Sequence, residues 1–509
     1  MSARLPLSYP AAVLVAAAAL SPIVVLLLLS VGADIDLGAR AVDIAVNTIL
    51  LTLLTTAMAT LIGVVLAFLT TYVRLPGARV VLVALAAPLA VPSYLGAFAF
   101  FAAFGTGGTI DMLTGLPTPR VHGLWGTALV ISLYTYPFVM LSTRAALQSL
   151  DGSVVDAART LGLSIYGIVL RIVLPRARNG IAAGALLVAL YALSDFATPA
   201  IMGLDTFTRI IFVEYNAFGL DRAALLSLQL LVLVAVVLFL ESRVRVPRER
   251  VGQPTHLPFG RFAHGCGLTL AGLVFAAAIV LPVALFSLWL VRSGTAHFQW
   301  HFVLNSAWAA LLAAGAVLLA ALPVAYAASA GWLGRLCERV TYLGFGVPGI
   351  VMGTALVYVG LRVQPLYQTL ALLILAYVLR FLPLAVGNIR ASNERVASNM
   401  LGAARSLGAT PAEAFRRISL PLITPGIVAA TALVFLEAMR ELPATLLLRP
   451  TGYETLATYL WRVYSAGYIG RGAIPALGLV IVSAIALMIM LSGETRRNRV
   501  ASAQTRTST

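Results

Sequence analysis

The 509-residue chain has no lysine; all 35 of its basic residues are arginine. That absence removes a Walker A loop and a Schiff-base lysine, because both chemistries need the amine. Any ATP-driven step therefore needs a nucleotide site on another chain. Charge of either sign is scarce. Only 11% of residues are charged and 60% are hydrophobic, and the mean hydropathy is +0.96. A soluble globular chain holds about 45–50% apolar and about 25% charged residues, so a cytosolic enzyme is excluded. Two cysteines, Cys266 and Cys337, are too few for a disulfide framework or a CxxC metal site. No Ser-His-Asp, HExxH or paired-carboxylate arrangement stands out. The net charge of +16 forms no basic face with interleaved aromatics. The arginines sit between apolar runs, which signals membrane topology and excludes nucleic acid as the partner.

What abounds is uninterrupted apolar sequence. Runs of roughly 20 residues, enough to span a bilayer, lie near 9–31, 47–73, 80–104, 124–143, 180–202 and 223–240. Six more lie near 266–291, 304–330, 340–361, 367–388, 425–447 and 474–492. Continuous apolarity without polar alternation predicts helices, not barrel strands. The expected fold class is an all-α polytopic membrane protein with about 12 transmembrane helices surrounded by lipid. The run from Ala11 to Val31 is long for a signal-peptide core and no A-x-A site follows, so it reads as an uncleaved first span. Arginines crowd the even-numbered loops, as at Arg74 and Arg79, Arg159 to Arg178, Arg243 to Arg261, and Arg390 to Arg417. Those loops and both termini are therefore expected in the cytoplasm. Arg449, Arg462 and Arg471, in the eleventh loop, run against that rule.

The segment Glu241 to His264 is charged and contains Pro247, Pro254 and Pro258. It divides the chain into a first half over 1–245, a cytoplasmic linker over 246–264 and a second half over 265–509. Pro137, Gly162, Pro175 and Asp195 match Pro383, Gly408, Pro421 and Glu441, each pair 246 positions apart. Four such pairs at one offset indicate duplication, with both halves in the same orientation.

The duplicated loops carry the most informative pattern. Asp156-Ala157-Ala158-Arg-Thr-Leu-Gly162 runs on to Ile172-Val-Leu-Pro175, and Gly402-Ala403-Ala404-Arg-Ser-Leu-Gly408 to Ile418-Ser-Leu-Pro421. The paired alanines allow close approach to another surface, and each glycine permits a sharp turn with positive φ. Pro175 and Pro421 suit the start of the following helix. Each loop is expected to form a rigid knob. These loops resemble the E-A-A-x-x-x-G-x9-I-x-L-P motif of ABC importer permeases, with Asp156 a conservative departure at the first position and Gly402 a non-conservative one. The whole chain resembles the fused permeases of ferric-iron (Fbp-type) importers, supported by Ser194-Asp-Phe-Ala-Thr-Pro199 and Met439-Arg-Glu-Leu-Pro-Ala-Thr445.

The resemblance implies a type I importer permease in the bacterial inner membrane, working by alternating access and not itself an enzyme. It implies two copies of an ABC ATPase docking on the knobs, with ATP and Mg on that partner and no cofactor in this chain. It also implies a periplasmic solute-binding protein, received by the outward loops around Asp205–Arg222 and Arg449–Arg471. Thiamine, polyamine, sulfate and phosphonate permeases share the layout or fold. An ion-coupled secondary transporter is the rival of another class.

Asp195 and Glu441 fall near the ends of the fifth and eleventh spans, with Glu437 one turn before Glu441 and Arg440 beside it. Acids in spans are costly and usually face a cavity or a partner. Two readings stand: the carboxylates line the translocation pathway, offering hard oxygen ligands to a cation, or they are helix-end groups paired with Arg440 or Arg380. Tyr134, with Tyr94, Tyr136 and Met140, is a further candidate for the pathway lining, against a packing role. His297 and His301 form too small a set for a metal, and no metal site is expected.

Overall fold

The structure is a computed structural model that describes residues 8–31, 38–73, 75, 77–150, 152–244, 261–393, 400, 403–404, 406–485 and 488. Among these residues every regular element is a helix. The first half contains α1 (Ser8–Leu29), α2 (Ala39–Tyr72), α3 (Ala78–Ala86), α4 (Ser93–Phe104) and α5 (Gly123–Gln148). It continues with α6 (Gly152–Thr160), α7 (Ile165–Ser194), α8 (Ala197–Met202), α9 (Phe207–Asn216) and α10 (Leu220–Arg243). The second half contains α11 (His264–Ser293), α12 (His301–Ser329), α13 (Trp332–Gly346), α14 (Gly349–Arg362) and α15 (Leu370–Asn393). It ends with α16 (Phe415–Met439), α17 (Pro443–Leu448), α18 (Leu456–Ser465) and α19 (Ile469–Ile485).

Ten helices among the described residues are long and apolar enough to cross a membrane, and three shorter apolar ones accompany them. The chain is an all-α polytopic membrane protein. Two of the expected spans are not continuous rods. The run near 80–104 is interrupted at Val91–Pro92, and the run near 340–361 at Val347–Pro348. Proline lacks the N–H that would continue the ladder and pushes its predecessor to extended backbone. Val91 (ψ 129°) and Val347 (ψ 118°) are accordingly extended. The fifth and eleventh spans also break, after Ser194 and after Met439, as Pro199 and Pro443 remove donors just downstream. Thr208 Oγ1 donates to the freed carbonyl of Asp195 at 2.8 Å, and at the second break Thr445 Oγ1 donates to the Glu441 carbonyl at 2.6 Å. Residues 261–264, placed in the linker by sequence, already belong to a helix that starts at Arg261; 246–260 lie outside the described residues.

The halves are exchanged at their edges. α1 packs on α12 and α13 of the second half, while the helix from Arg261 packs on α2 and α3 of the first. Within each half, glycine lets backbones meet. A Cβ at Gly180 would stand 2.7 Å from both Ala146 Cβ and Ser142 O, and one at Gly426 would stand 2.7 Å from Asn388 O. These glycines are also 246 positions apart. Close approach through small residues is the usual glue between helices in lipid. Gly180→Leu is expected to cost about 1–3 kcal/mol by overpacking, read as a lowered melting temperature in detergent; an unchanged temperature would refute the contact.

The contacts at the start of α2 and of α12 repeat as well. Asn47 Nδ2 donates to Asp205 O at 3.2 Å and the Phe207 N–H to Thr48 Oγ1 at 3.1 Å. Asn305 Nδ2 donates to Glu454 O at 2.9 Å and the Leu456 N–H to Ser306 Oγ at 2.7 Å. One Asn-hydroxyl pair at the top of α2 and another at the top of α12 thus anchor α9 and α18.

Candidate functional site

Two regions bring the candidate residues together. The first is the pair of knobs. α6 ends in a Schellman turn: the Gly162 N–H donates to Arg159 O at 3.0 Å and that of Leu163 to Ala158 O at 3.1 Å. The second loop closes in the same way, with Leu407 donating to Ala403 O at 3.1 Å and Ala409 to Ala404 O at 3.0 Å. Gly162 and Gly408 have φ 83° and 84°. The next helices are capped at equivalent positions. Ser164 Oγ accepts from the Gly167 N–H at 3.2 Å, and Thr410 forms a reciprocal box with Glu413. The Thr410 N–H, then its hydroxyl, hold the exposed Glu413 carboxyl below its ordinary range.

The knobs depart from expectation at the paired alanines and at the prolines. Ala157 and Ala403 are exposed, but Ala158 is 5% exposed and faces the bundle. Successive helical residues point about 100° apart, so neighbouring alanines do not share one outward face. Ala404 is half-buried. Pro175 and Pro421 stand in the first turn of the α-helical stretches Leu174–Ser194 and Leu420–Met439, but neither stretch starts afresh. Each lies inside a continuous helical run, just past a π-turn at Val169–Val173 or Phe415–Ser419. The wider turn absorbs the missing proline donor without ending the helix. Asp156 is exposed, and Gly402 lies outside the described residues. Sequence reasoning missed Leu161 and Leu407, apolar side chains 82% and 89% exposed at the tips of the two turns. Their signal was available: a leucine before each motif glycine, in an otherwise polar loop.

The second region is a cavity of about 110 Å³ where the four breaks converge. Ser93 and Tyr94 enter from the break at Pro92, Asp195 from the end of α7, and Glu437, Arg440 and Glu441 from the break between α16 and α17. The break at Pro348 closes in beside them, since a Cβ at Gly349 would stand 2.5 Å from Glu441 Oε1. Irregular backbone at membrane depth is tolerated where it lines a cavity, and transporters place their sites there. Asp195 Oδ2 accepts from Ser93 Oγ at 2.6 Å and Thr198 Oγ1 at 2.7 Å, and Oδ1 accepts from the Thr198 N–H at 3.1 Å. Tyr191 donates to Ser93 Oγ at 3.1 Å, extending the hydroxyl network. Glu441 is 6% exposed, accepts from the Ala444 N–H at 3.2 Å and lies 3.5 Å from Arg380. Glu437 holds Arg440 through both Nε and Nη2. Arg440 then crosses to the first half, donating to Leu89 O at 3.2 Å and Ala90 O at 2.9 Å. Tyr94 donates back to Arg440 O at 3.2 Å.

Asp195, Glu437 and Glu441 therefore both line the cavity and serve as caps or ion-pair partners. Tyr134 does not belong with them. It is 2% exposed, packs against Gly96 and donates to Ala278 O at 2.8 Å. Ala278 lies four residues before Pro282, whose missing N–H cannot serve that carbonyl. Sequence position alone could not reveal a partner 144 residues away. The duplication departs from symmetry where charge enters. Tyr134, Tyr191 and Ser194 of the first half face Arg380, Glu437 and Arg440 at the same 246-residue offset in the second. One half offers hydroxyls around a lone carboxylate; the other offers two ion pairs. His297 and His301 join no cluster, and no group of three or more His, Cys, Asp or Glu suited to a metal occurs among the described residues.

Broken spans around a charged cavity, in a duplicated helical chain, define a membrane transport protein. The chain belongs to the binding-protein-dependent transport system inner membrane components, a family that matches residues 59–246 and again 316–493. It is a multi-pass inner-membrane permease. It is 31% identical to a Haemophilus influenzae protein named Fe(3+)-transport system permease protein FbpB 2, over 89% of this chain and 90% of that one. It is 24% identical to a probable ABC transporter permease of Sinorhizobium fredii, over 88% and 86% of the two chains. A putative 2-aminoethylphosphonate transport system permease of Salmonella choleraesuis is 30% identical, over 47% of this chain and 96% of its own length.

Proposed function

We propose that this permease carries ferric iron from periplasm to cytoplasm, through the cavity between the four breaks. The observation that carries the reading is the full-length similarity to a relative named for Fe(3+) transport. The cavity supports it, because three carboxylates face two guanidiniums there. With both ion pairs formed, Asp195 is the carboxyl left without a guanidinium partner, which favours a passing cation over an oxyanion. Oxygen donors from Asp195 and its hydroxyl neighbours suit a hard cation. A phosphonate substrate is the second reading, favoured by the half-length relative and by Arg380 and Arg440.

In this reading both termini and the two knobs face the cytoplasm. Two ATPase subunits, each with ATP and Mg, dock on Ala157–Gly162 and Ala403–Gly408. Exposed Leu161 and Leu407 supply apolar anchors for that contact. The outer arginines that run against the charge rule are partly neutralised, since Glu454 pairs with Arg449 at 3.2 Å and Arg462 at 2.9 Å. The halves 1–245 and 265–509 rock against each other about the cavity. ATP binding and hydrolysis supply the bias between states, because a solute that binds both equally shifts neither.

The test is uptake of radiolabelled ferric iron into proteoliposomes holding the permease, its ATPase and its binding protein, with 2-aminoethylphosphonate, thiamine and a polyamine in parallel. Iron uptake that requires both partners supports the proposal. Uptake of another solute discards iron, and uptake without ATPase favours the ion-coupled rival. Asp195→Asn is expected to lower iron uptake about tenfold or more with assembly intact, and Glu441→Gln, which leaves Arg380 unpaired, to lower it as much per inserted permease. Wild-type uptake by both would remove these carboxylates from the pathway.

A further inference from the structure

The halves differ in the length of one link. Pro92 and Pro348 are 256 positions apart, whereas Pro137 and Pro383 are 246 apart, so the first half holds ten additional residues between its two prolines. They fall between α4 and α5, where residues 105–122 stand against the short link 363–369 of the second half. The added chain folds into a lobe. Gly107 and Gly115 turn it with φ 65° and 69°, and between them lies a short helix, Thr109–Thr114. Asp111 Oδ1 accepts from the Thr118 N–H at 2.8 Å and from Thr118 Oγ1 at 2.5 Å, which closes the lobe. Asp111 and Thr118 thus satisfy each other while the large apolar side chains stay uncovered. Met112, Leu113 and Leu116 are 72%, 57% and 67% exposed, and Trp125, at the start of α5, is 70% exposed.

A contiguous apolar patch of this kind is out of place in water and marks an interaction surface. Its level in the membrane indicates with what. α5 runs 26 residues, roughly 39 Å, from the lobe to the loop that bears the first knob, so the lobe stands at the opposite face of the bilayer. Tryptophan and aliphatic side chains at that level belong to an element lying against lipid. The lobe also encloses part of a cavity of about 260 Å³. Phe104, Phe101 one turn deeper on α4, residues 105–108 and residues 120–122 line it, and Ile469 of α19 completes it from the second half. Arg120 makes no ion pair or hydrogen bond among the described residues, and Asp111, the acid its charge reaches, is taken by Thr118. No carboxylate is among the described residues that line this cavity.

We propose that the cavity seats one anionic phospholipid, its phosphodiester on Arg120 and the backbone of residues 105–108, its acyl chains passing Phe104 and then Phe101. A guanidinium without a partner takes a phosphate through charge-assisted bonds, and the two phenylalanines take the hydrocarbon. A zwitterionic headgroup is the poorer fit, because its ammonium meets no carboxylate in the lining. Ile469 comes from the other half, so the seated lipid touches both halves and stabilises the arrangement in which the cavity is formed. The seat is independent of which solute the permease carries.

The test is native mass spectrometry of the delipidated permease in detergent, titrated with phosphatidylglycerol, phosphatidylethanolamine or inorganic phosphate. The wild type is expected to hold one phosphatidylglycerol about fivefold or more tightly than phosphatidylethanolamine. Arg120→Gln should abolish that preference and Arg120→Lys should keep part of it, whereas Phe104→Ala should weaken both lipids alike. Thermal unfolding gives a second readout: phosphatidylglycerol raises the melting temperature of the wild type and not that of Arg120→Gln. Equal retention of the two lipids by the wild type overturns the proposal, as does a preference that survives Arg120→Gln. Inorganic phosphate that displaces phosphatidylglycerol at equal concentration marks a free-anion site and also overturns it.

Discussion

Gly408→Val is expected to leave the permease folded and inserted while ATP-driven uptake falls at least tenfold. The reason lies in the backbone. Gly408 sits at φ 84° with nothing within 4 Å of where a Cβ would stand, so the substitution causes no clash and its cost is conformational. A β-branched residue is a genuine outlier in that region, at about 1–3 kcal/mol. That is small for a chain of this size but large for a single exposed turn. The turn loses the Ala409–Ala404 bond that closes it, and Leu407 is no longer presented at a fixed angle. Gly162→Val should act alike on the first knob. The measurement pairs ATPase co-purification with uptake in proteoliposomes. Normal uptake by both variants would falsify the coupling role of these loops.

The second large effect is expected at Arg380. Arg380→Met leaves Glu441, 6% exposed, without its guanidinium partner. Removing one member of a buried pair typically costs about 3–5 kcal/mol, because the other charge stays desolvated and uncompensated. Arg380→Met with Glu441→Gln removes both charges and should recover most of that loss. Thermal unfolding in detergent reads both variants. Equal destabilisation in the single and double variants would show that Arg380 acts by packing and not through Glu441. The same pair bears on transport: if the double variant regains stability without regaining uptake, the charges belong to the pathway.

Much of this architecture is legible in the residue string. The apolar runs mark the spans, because the bilayer demands about 20 apolar residues for each. The 246-residue offset of Gly162 and Gly408 announces two copies of one loop, and both glycines have the left-handed backbone their positions call for. Leu161, Leu407 and the Asn-hydroxyl pairs at Asn47–Thr48 and Asn305–Ser306 carry signals that are harder to see. The Asn-hydroxyl pairs are hidden because their spacing is 258, so an unequal loop shifts them out of the main register. Ala158 misleads because its motif reads as a unit, whereas in space it is a helix with two faces.

Length, hydropathy and turn chemistry act over a few residues at a time, so a duplicated helical membrane protein follows from the residue string without any coordinates. Which charges meet is a tertiary matter. Arg440 reaches carbonyls 350 and 351 residues away, Tyr134 turns from the cavity to serve a carbonyl near Pro282, and Glu441 finds Arg380. Such pairings depend on where broken helices end in space, and no local pattern encodes that when the partners lie in different halves.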